Sequence, residues 1–270
     1  MLPVILGVVV GGIAGPAFGQ GTSDQERSDQ GTSSERVEPS KAEAGDSAPP
    51  PERPRRSYLG RVVAQPMSHR GADWLVRPNR EEEERASESF QRLELKLGMS
   101  VCDLGCGNGY WTLPMAKEVG ESGAVYAVDI QREMLQMLVT RAAKAGLNNV
   151  KPILGRVNDP MLPAETLDLV LMVDVYHEFS HPESMLWSIR RSLKPEGVVA
   201  LLEYREEDPR VPIKPLHKMS KAQIMKEYGK NGFKLVREHN ELPWQHLMFF
   251  ARDDSPLKEI DPVPGPDTVP

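Results

Sequence analysis

In the stretch Val101-Cys-Asp-Leu-Gly-Cys-Gly-Asn-Gly-Tyr-Trp111, an apolar run stops at three alternating glycines, Gly105, Gly107 and Gly109, and a helical pattern follows. Glycines at the turn between a strand and a helix permit backbone conformations and close approaches that a Cβ would block. A ligand's polar end is then expected to sit against bare amides. A nicotinamide-binding turn also follows a strand, but its Gly-x-Gly-x-x-Gly register needs a glycine where this chain has Tyr110. Asp103 instead opens an Asp-x-Gly-x-Gly-x-Gly pattern, which suits a ligand with an amino-acid end better than a pyrophosphate.

Outward from that turn, short apolar runs alternate with helical spacing. The pattern predicts strands over Val101–Leu104, Val125–Asp129, Val150–Leu154, Leu167–Val173 and Val198–Glu203, and helices over Tyr110–Val119, Arg132–Ala145 and Glu183–Leu193. Such alternation indicates a parallel sheet built from βαβ units. Ser220 and Gln223 form a capping-box pattern for a helix that stops near Gly229. The runs Phe233–Glu241 and Trp244–Arg252, joined at Leu242-Pro243, read as an antiparallel pair that closes one edge. Upstream, Ala86, Phe90 and Leu93 predict one amphipathic helix over Arg80–Leu95.

The motif DLGCGNGYW at 103–111 resembles motif I of class I S-adenosylmethionine-dependent methyltransferases of the type 11-like kind. Further matches follow in order: AVDI at the end of the second strand, GRVNDPMLP after the third, LDLVLMVDVYHEF at the fourth and LKPEGVVALLEY through the fifth. The resemblance covers roughly Trp74 to Arg252 and implies a Rossmann-like α/β fold. That fold has a mostly parallel seven-stranded sheet, a C-terminal antiparallel hairpin and helices on both faces. The segment HKMS, a helix and then NGF resemble small-molecule methyltransferases related to ubiquinone and menaquinone C-methylation, closest to an exported bacterial branch with Tyr-His after the fourth strand.

The resemblance implies S-adenosylmethionine as cofactor. Asp103 with Gly105, Cys106, Gly107, Asn108 and Gly109 would hold its methionine moiety. Asp129 would accept the ribose hydroxyls, Ile130 would pack on adenine, and either Asn158 or Asp159 would meet the adenine amino group. Asp174 would line the cavity near the transferable methyl. The competing use of Asp103 and Asp129 is turn capping.

Methyl transfer from a sulfonium is an in-line displacement in which the protein aligns the nucleophile, excludes water and, where needed, takes a proton. Loops at the carboxyl ends of the strands should carry the acceptor. Asp174-Val-Tyr-His-Glu-Phe-Ser-His181 supplies a candidate base in His177, with Tyr176 and Glu178 to orient it or the substrate. Glu203, Tyr204, Arg205 and His217 belong to the connector that family topology lays over the active site. His177-Glu178-Phe-Ser-His181 also matches a zinc-protease pattern, but it leaves a buried strand, and Pro182 biases His181 away from helix. No metal site is therefore expected; a zinc hydrolase and a non-catalytic cofactor-binding module are the competing functions.

A chain of 270 residues with 39% hydrophobic residues fills one sizeable core. Its net charge of −6 provides no basic stripe for a phosphate backbone, which argues against nucleic acid and for a small-molecule substrate. No protein partner can be identified. A strand and its following turn carry Cys102 and Cys106 too far apart to bridge, and they lack zinc-type pairing. The apolar residues 1–19, with Ala17 and Gly19 before Gln20, read as a signal peptide that exports the chain, although no Lys or Arg precedes the run. An uncleaved membrane anchor and a cytoplasmic-face location are the alternatives. Residues 20–57 are Ser-, Glu-, Asp- and Pro-rich and read as a disordered linker, the domain spans 58–252, and 253–270 reads as a disordered Pro-rich tail.

Overall fold

The computed structural model describes residues 56–264. The expected leader, nearly all of the expected linker and residues 265–270 lie outside the described residues. The described chain opens with a small hairpin, β1 (Ser57–Tyr58) and β2 (Arg61–Val62), followed by a 3-10 segment over His69–Val76. Two short helices come next, α1 (Arg80–Glu84) and α2 (Ala86–Arg92). The single helix expected over Arg80–Leu95 is thus broken, because Arg85 adopts a left-handed conformation, φ 48°, that no α-helix tolerates. The break lets Glu84 turn inward against Arg80 and Tyr204.

Beyond it lie β3 (Ser100–Leu104), α3 (Thr112–Val119), β4 (Ala124–Asp129), α4 (Arg132–Lys144), β5 (Val150–Leu154) and β6 (Leu167–Val173). A 3-10 turn over Tyr176–Glu178 leads into α5 (Pro182–Ser192), then β7 (Leu193–Tyr204), α6 (Lys221–Lys230), β8 (Phe233–His239) and β9 (Gln245–Arg252). β7 starts five residues before its expected first residue, Val198, and so runs directly on from α5.

The seven strands of the main sheet lie in the order β5-β4-β3-β6-β7-β9-β8. All neighbours are parallel except those of β9, which is antiparallel to both β7 and β8. Period-two side-chain direction explains the two-sided burial. Cys102, Val170, Met172, Val199 and Leu201 face the core shared with α5 and α6. Val101, Leu169, Leu171, Ala200 and Leu202 face the opposite core with α2 and α3. The chain winds outward in both directions from the adjacent pair β3 and β6, so a crevice opens beyond their carboxyl ends. Cys102 and Cys106 are both free and buried.

The expected disordered tail needs correction over 253–264. There Ile260 N–H donates to Leu235 O at 2.9 Å, its side chain packs on the core, and Lys221 Nζ donates to Val263 O at 2.8 Å. Prolines keep the segment from becoming a strand, but the exposed edge of β8 supplies it with partners. Among the described residues, no helix is long and apolar enough to cross a membrane.

Candidate active site

A cavity of about 580 Å³ opens at the carboxyl ends of the central strands. Its floor is Leu104, Gly105 and Gly107 after β3, Asp129 and Ile130 after β4, and Asp174 after β6. The volume falls within the range of small-molecule sites, ~300–1,000 Å³.

The glycine turn is built differently from the expectation of bare amides. The N–H groups of Gly105 and Cys106 both donate to Val128 O, at 2.8 and 3.0 Å, and Gly109 N–H donates to Cys106 O. Gly107 N–H donates to Asp129 Oδ2 at 3.0 Å. With these amides engaged inside the chain, the turn is no cradle for a pyrophosphate. What the glycines provide is room: a Cβ on Gly105 would stand 2.5 Å from Val175, and one on Gly109 would stand 2.3 Å from Leu138. Close packing of β3 against the β6 loop and of the turn against α4 therefore requires them.

Asp129 is 7% exposed, and its other carboxylate oxygen accepts from Gln131 N–H at 2.8 Å. Burial raises its pKa, while the Gln131 and Gly107 amides pull it back. A carboxylate offers about four lone-pair positions, so Asp129, which lines the cavity, keeps acceptor capacity beyond its backbone amide partners. Ile130 is exposed beside it, and Val157 and Pro160 form the facing wall.

Several sequence-expected cofactor residues do not reach the cavity. Asp103 is buried behind the turn, where it accepts from Thr112 Oγ1 at 2.5 Å; burial lifts its pKa to about 6. Cys106 packs with Ala127, Leu135 and Leu138 under α4. Asn108 donates to Ala72 O and accepts from Arg141, so it ties the 3-10 segment to the turn. Asn158 is exposed, and Asp159 closes its own turn by accepting from Met161 N–H. At the position expected to meet adenine, the cavity wall is Val157 instead.

The acceptor-side residues divide in the same way. Tyr176 is fully buried and donates to Glu227 Oε2 at 2.8 Å, away from the cavity, so it anchors its turn rather than taking part in chemistry. Arg61 pairs with the same Glu227 and donates to His177 O at 2.8 Å, which fixes that turn from the N-terminal hairpin. Arg205 is likewise turned away, donating to Pro243 O and Asn240 O. His177, Glu178, Tyr204 and His217 do line the cavity. His177 Nδ1 lies 2.6 Å from Glu203 Oε2, its Nε2 lies 3.0 Å from His217 Nδ1, and Glu178 Oε1 stands 3.9 Å from the same Nε2. Burial works against the charged His177 ring, but the Glu203 carboxylate outweighs it and the pKa is raised. That of His217 is lowered by burial and by the neighbouring imidazole. Glu178 is lifted by burial to about 7.

His181 precedes α5 and pairs with Ser180 Oγ at 2.9 Å, so it does not share a helical face with His177 and the zinc-protease arrangement is not formed. Asp174, in a left-handed conformation with φ 53°, accepts from Gln245 Nε2 at 2.8 and 2.9 Å. Burial, and then the charges of Glu84 and Glu203, push its pKa well up.

Residues 65–80, most of which precede any sequence motif, form the remaining wall. Gln131 clamps this segment, donating to Met67 O and accepting from His69 N–H, both at 2.8 Å. Arg80 lines the cavity beneath it, paired with Glu84 at 2.7 Å and stacked 4.1 Å from the Tyr110 ring centre. Trp74 and Leu75 complete the apolar side. Gln131 was not foreseen; its position directly after AVDI was the available signal.

The family described as methyltransferase domain matches residues 95–248 of this chain. A demethylmenaquinone methyltransferase of Geobacillus sp. (strain WCH70) is 28% identical over 167 residues, 62% of this chain and 71% of that protein. A nocamycin O-methyltransferase of Saccharothrix syringae is 33% identical over 104 residues, 38% of this chain and 37% of that protein. Among solved structures, a SAM-dependent methyltransferase from Aquifex aeolicus superposes with a TM-score of 0.64 at 27% identity, covering 68% of this chain and 98% of that one.

Proposed function

The chain belongs to the methyltransferase-domain family, and from that premise we propose that it moves the methyl group of S-adenosylmethionine to a small, largely apolar acceptor. The observation that carries the reading is a single cavity joining the Asp129 turn to the His177–Glu178–His217 face. When bound, the cofactor supplies an electrophilic methyl on a good leaving group.

The cavity's chemistry suits each part of that cofactor. Asp129 lines the cavity as an acceptor for the ribose hydroxyls, and Ile130 and Val157 give it an apolar lining for adenine. Arg80 offers a buried cation to a carboxylate, and Asp174 offers a carboxylate to positive groups. At the far end, Glu203 fixes the Nδ1 proton of His177 and leaves Nε2, which His217 Nδ1 meets at 3.0 Å, as the ring's proton-accepting atom on the cavity. That atom takes up the acceptor's proton where the acceptor has one to lose. Met67, Trp74, Leu75, Phe179 and Ile213 provide apolar walls and exclude water. The names of the Geobacillus and Saccharothrix relatives, a demethylmenaquinone and a nocamycin methyltransferase, support a small molecule as acceptor.

The test is calorimetric titration of the full-length chain with S-adenosylmethionine and S-adenosylhomocysteine beside Asp129→Ala. Micromolar binding, about −8 kcal/mol, lost in the variant, is the expected result. The acceptor is then sought by following S-adenosylhomocysteine release with hydroxylated and quinol-type ring compounds. A folded chain that binds neither ligand would overturn the reading.

A further inference from the structure

We propose that His177 Nε2, His217 Nδ1 and a carboxylate oxygen of Glu178 bind a divalent first-row cation such as Zn²⁺ at the acceptor end of the cavity. The three donor atoms come from two separate turns and lie within 4.8 Å of one another. Two ligands at tetrahedral positions around zinc stand about 3.3 Å apart, given Zn–N bonds of roughly 2.0–2.1 Å. The observed 3.0 Å between the imidazole nitrogens and 3.9 Å from Nε2 to Glu178 Oε1 bracket that separation. Two imidazoles and one carboxylate, with a further position left toward open space, are the ligand set of a reactive rather than a structural metal centre.

A second observation, independent of the donor set, points the same way. The His177 ring donates its other nitrogen to the fully buried Glu203 at 2.6 Å, the carboxylate–histidine arrangement that orients metal-ligating imidazoles. Charge balance agrees. Asp174 and Glu178 line this end of the cavity, and Glu203 lies directly behind His177. A dication bound there therefore meets carboxyl groups of opposite charge.

This inference rests on the acceptor end described above and refines it. A lone pair given to a cation cannot also take a proton. With the ion present, an oxygen or sulfur donor on the acceptor completes the ion's shell, and its proton passes to solvent because the cation stabilises the conjugate base.

Chelator-stripped full-length protein is titrated with Zn²⁺ by calorimetry and with Co²⁺ by visible absorption. Saturable binding is expected, with Co²⁺ bands of a four- or five-coordinate ion. His217→Ala and Glu178→Gln should each weaken it at least roughly tenfold, and Glu203→Gln by about 10–100-fold. His239→Gln, in the separate Glu88–His239–Glu241 cluster, should leave it unchanged. S-adenosylmethionine binding in the same samples confirms folding: protein that binds the cofactor but not Zn²⁺, or whose Zn²⁺ affinity ignores both His217→Ala and Glu178→Gln, overturns the metal site alone. Zn²⁺ binding with no cofactor binding would instead uphold the metal site and overturn the methyltransferase reading.

Discussion

Glu203 accepts from His177 Nδ1 at 2.6 Å, with the two side chains 0% and 2% exposed. A carboxylate so completely withdrawn from water is held there by its partners, and the same Glu203 also accepts the His177 backbone N–H at 3.2 Å. The pair therefore fixes both the position of the ring and which of its nitrogens carries the proton. Every role assigned to His177 Nε2 depends on that tautomer.

Replacing Glu203 with glutamine should leave the fold standing and damage chemistry. The amide can still fill the space, but its NH2 group facing Nδ1 favours the opposite tautomer, which puts a proton on Nε2. Turnover should fall by roughly 10²-fold or more, the scale of a lost proton-transfer group. Cofactor affinity should stay within about threefold, since Glu203 does not line the Asp129 end. A kcat and cofactor Kd measured on one preparation decide it; a joint fall in both would mark Glu203 as a structural residue only.

Asp129→Ala should show two effects together. Its oxygens accept from Gly107 and Gln131 N–H groups, so truncation leaves two amides without their partner at a cost of about 1–3 kcal/mol each unless water enters. Cofactor affinity should fall by a hundredfold or more with the ribose acceptor gone. Gln131 also clamps residues 67–69, so accelerated proteolysis or hydrogen exchange near Met67 should accompany the loss.

How far the site could be read from sequence follows from geometry. A strand end places its last residues at the sheet's edge, so Asp129, Ile130 and Asp174 could be assigned from motif order alone, and the structure puts all three on the cavity. A 3-10 turn advances three residues per circuit and points successive side chains in three directions. Of Tyr176, His177 and Glu178, then, one must turn inward, and which one is set by Glu227, 51 residues downstream of the tyrosine. The break at Arg85 is equally opaque, because an arginine in a helical pattern carries no turn signal; the buried demand for Glu84 by Tyr204 enforces it from 120 residues away. Asp103 illustrates a third limit: the motif fixes its position on β3 but not its partner, Thr112.

Asp103→Asn tests that placement through pH. The folded carboxyl sits at about 6 against an ordinary 3.8, chiefly from burial, with the Thr112 hydrogen bond opposing and Asp129 adding. A raised folded pKa means that the stability tied to the protonated form is fully present below pH 3.8 and is lost as pH rises through about 6. At neutral pH the ionised form costs on the order of 3 kcal/mol. Asparagine can still accept from Thr112 but carries no charge, so the variant should be more stable at pH 7 by about 1–3 kcal/mol. Its stability difference from wild type should shrink toward zero by pH 4. Denaturant midpoints at pH 4, 5, 6 and 7 give the curve, and a variant less stable than wild type at pH 7 would refute the assignment. Cofactor affinity should move less than about tenfold, because the carboxylate faces Thr112 rather than the cavity.

Arg80 and Glu84 offer a last check on the wall that precedes the motifs. Their ion pair, Nε to Oε2 at 2.7 Å, is almost wholly buried, and Glu84 also accepts from Tyr204 and pairs with Arg77. Removing one member of a buried pair strands the other, at a cost of about 3–5 kcal/mol. Arg77 can compensate only in part, since it is already shared with Glu83. Arg80→Met should therefore destabilise the fold by at least about 2 kcal/mol, whereas Arg80→Met with Glu84→Gln should recover much of that loss by removing the stranded charge. Stability and binding then separate: the double variant is folded but lacks the cavity-lining cation proposed to meet the cofactor's carboxylate, so its S-adenosylmethionine affinity should remain weakened. A double variant that regains full affinity would show that Arg80 serves the wall and not the ligand.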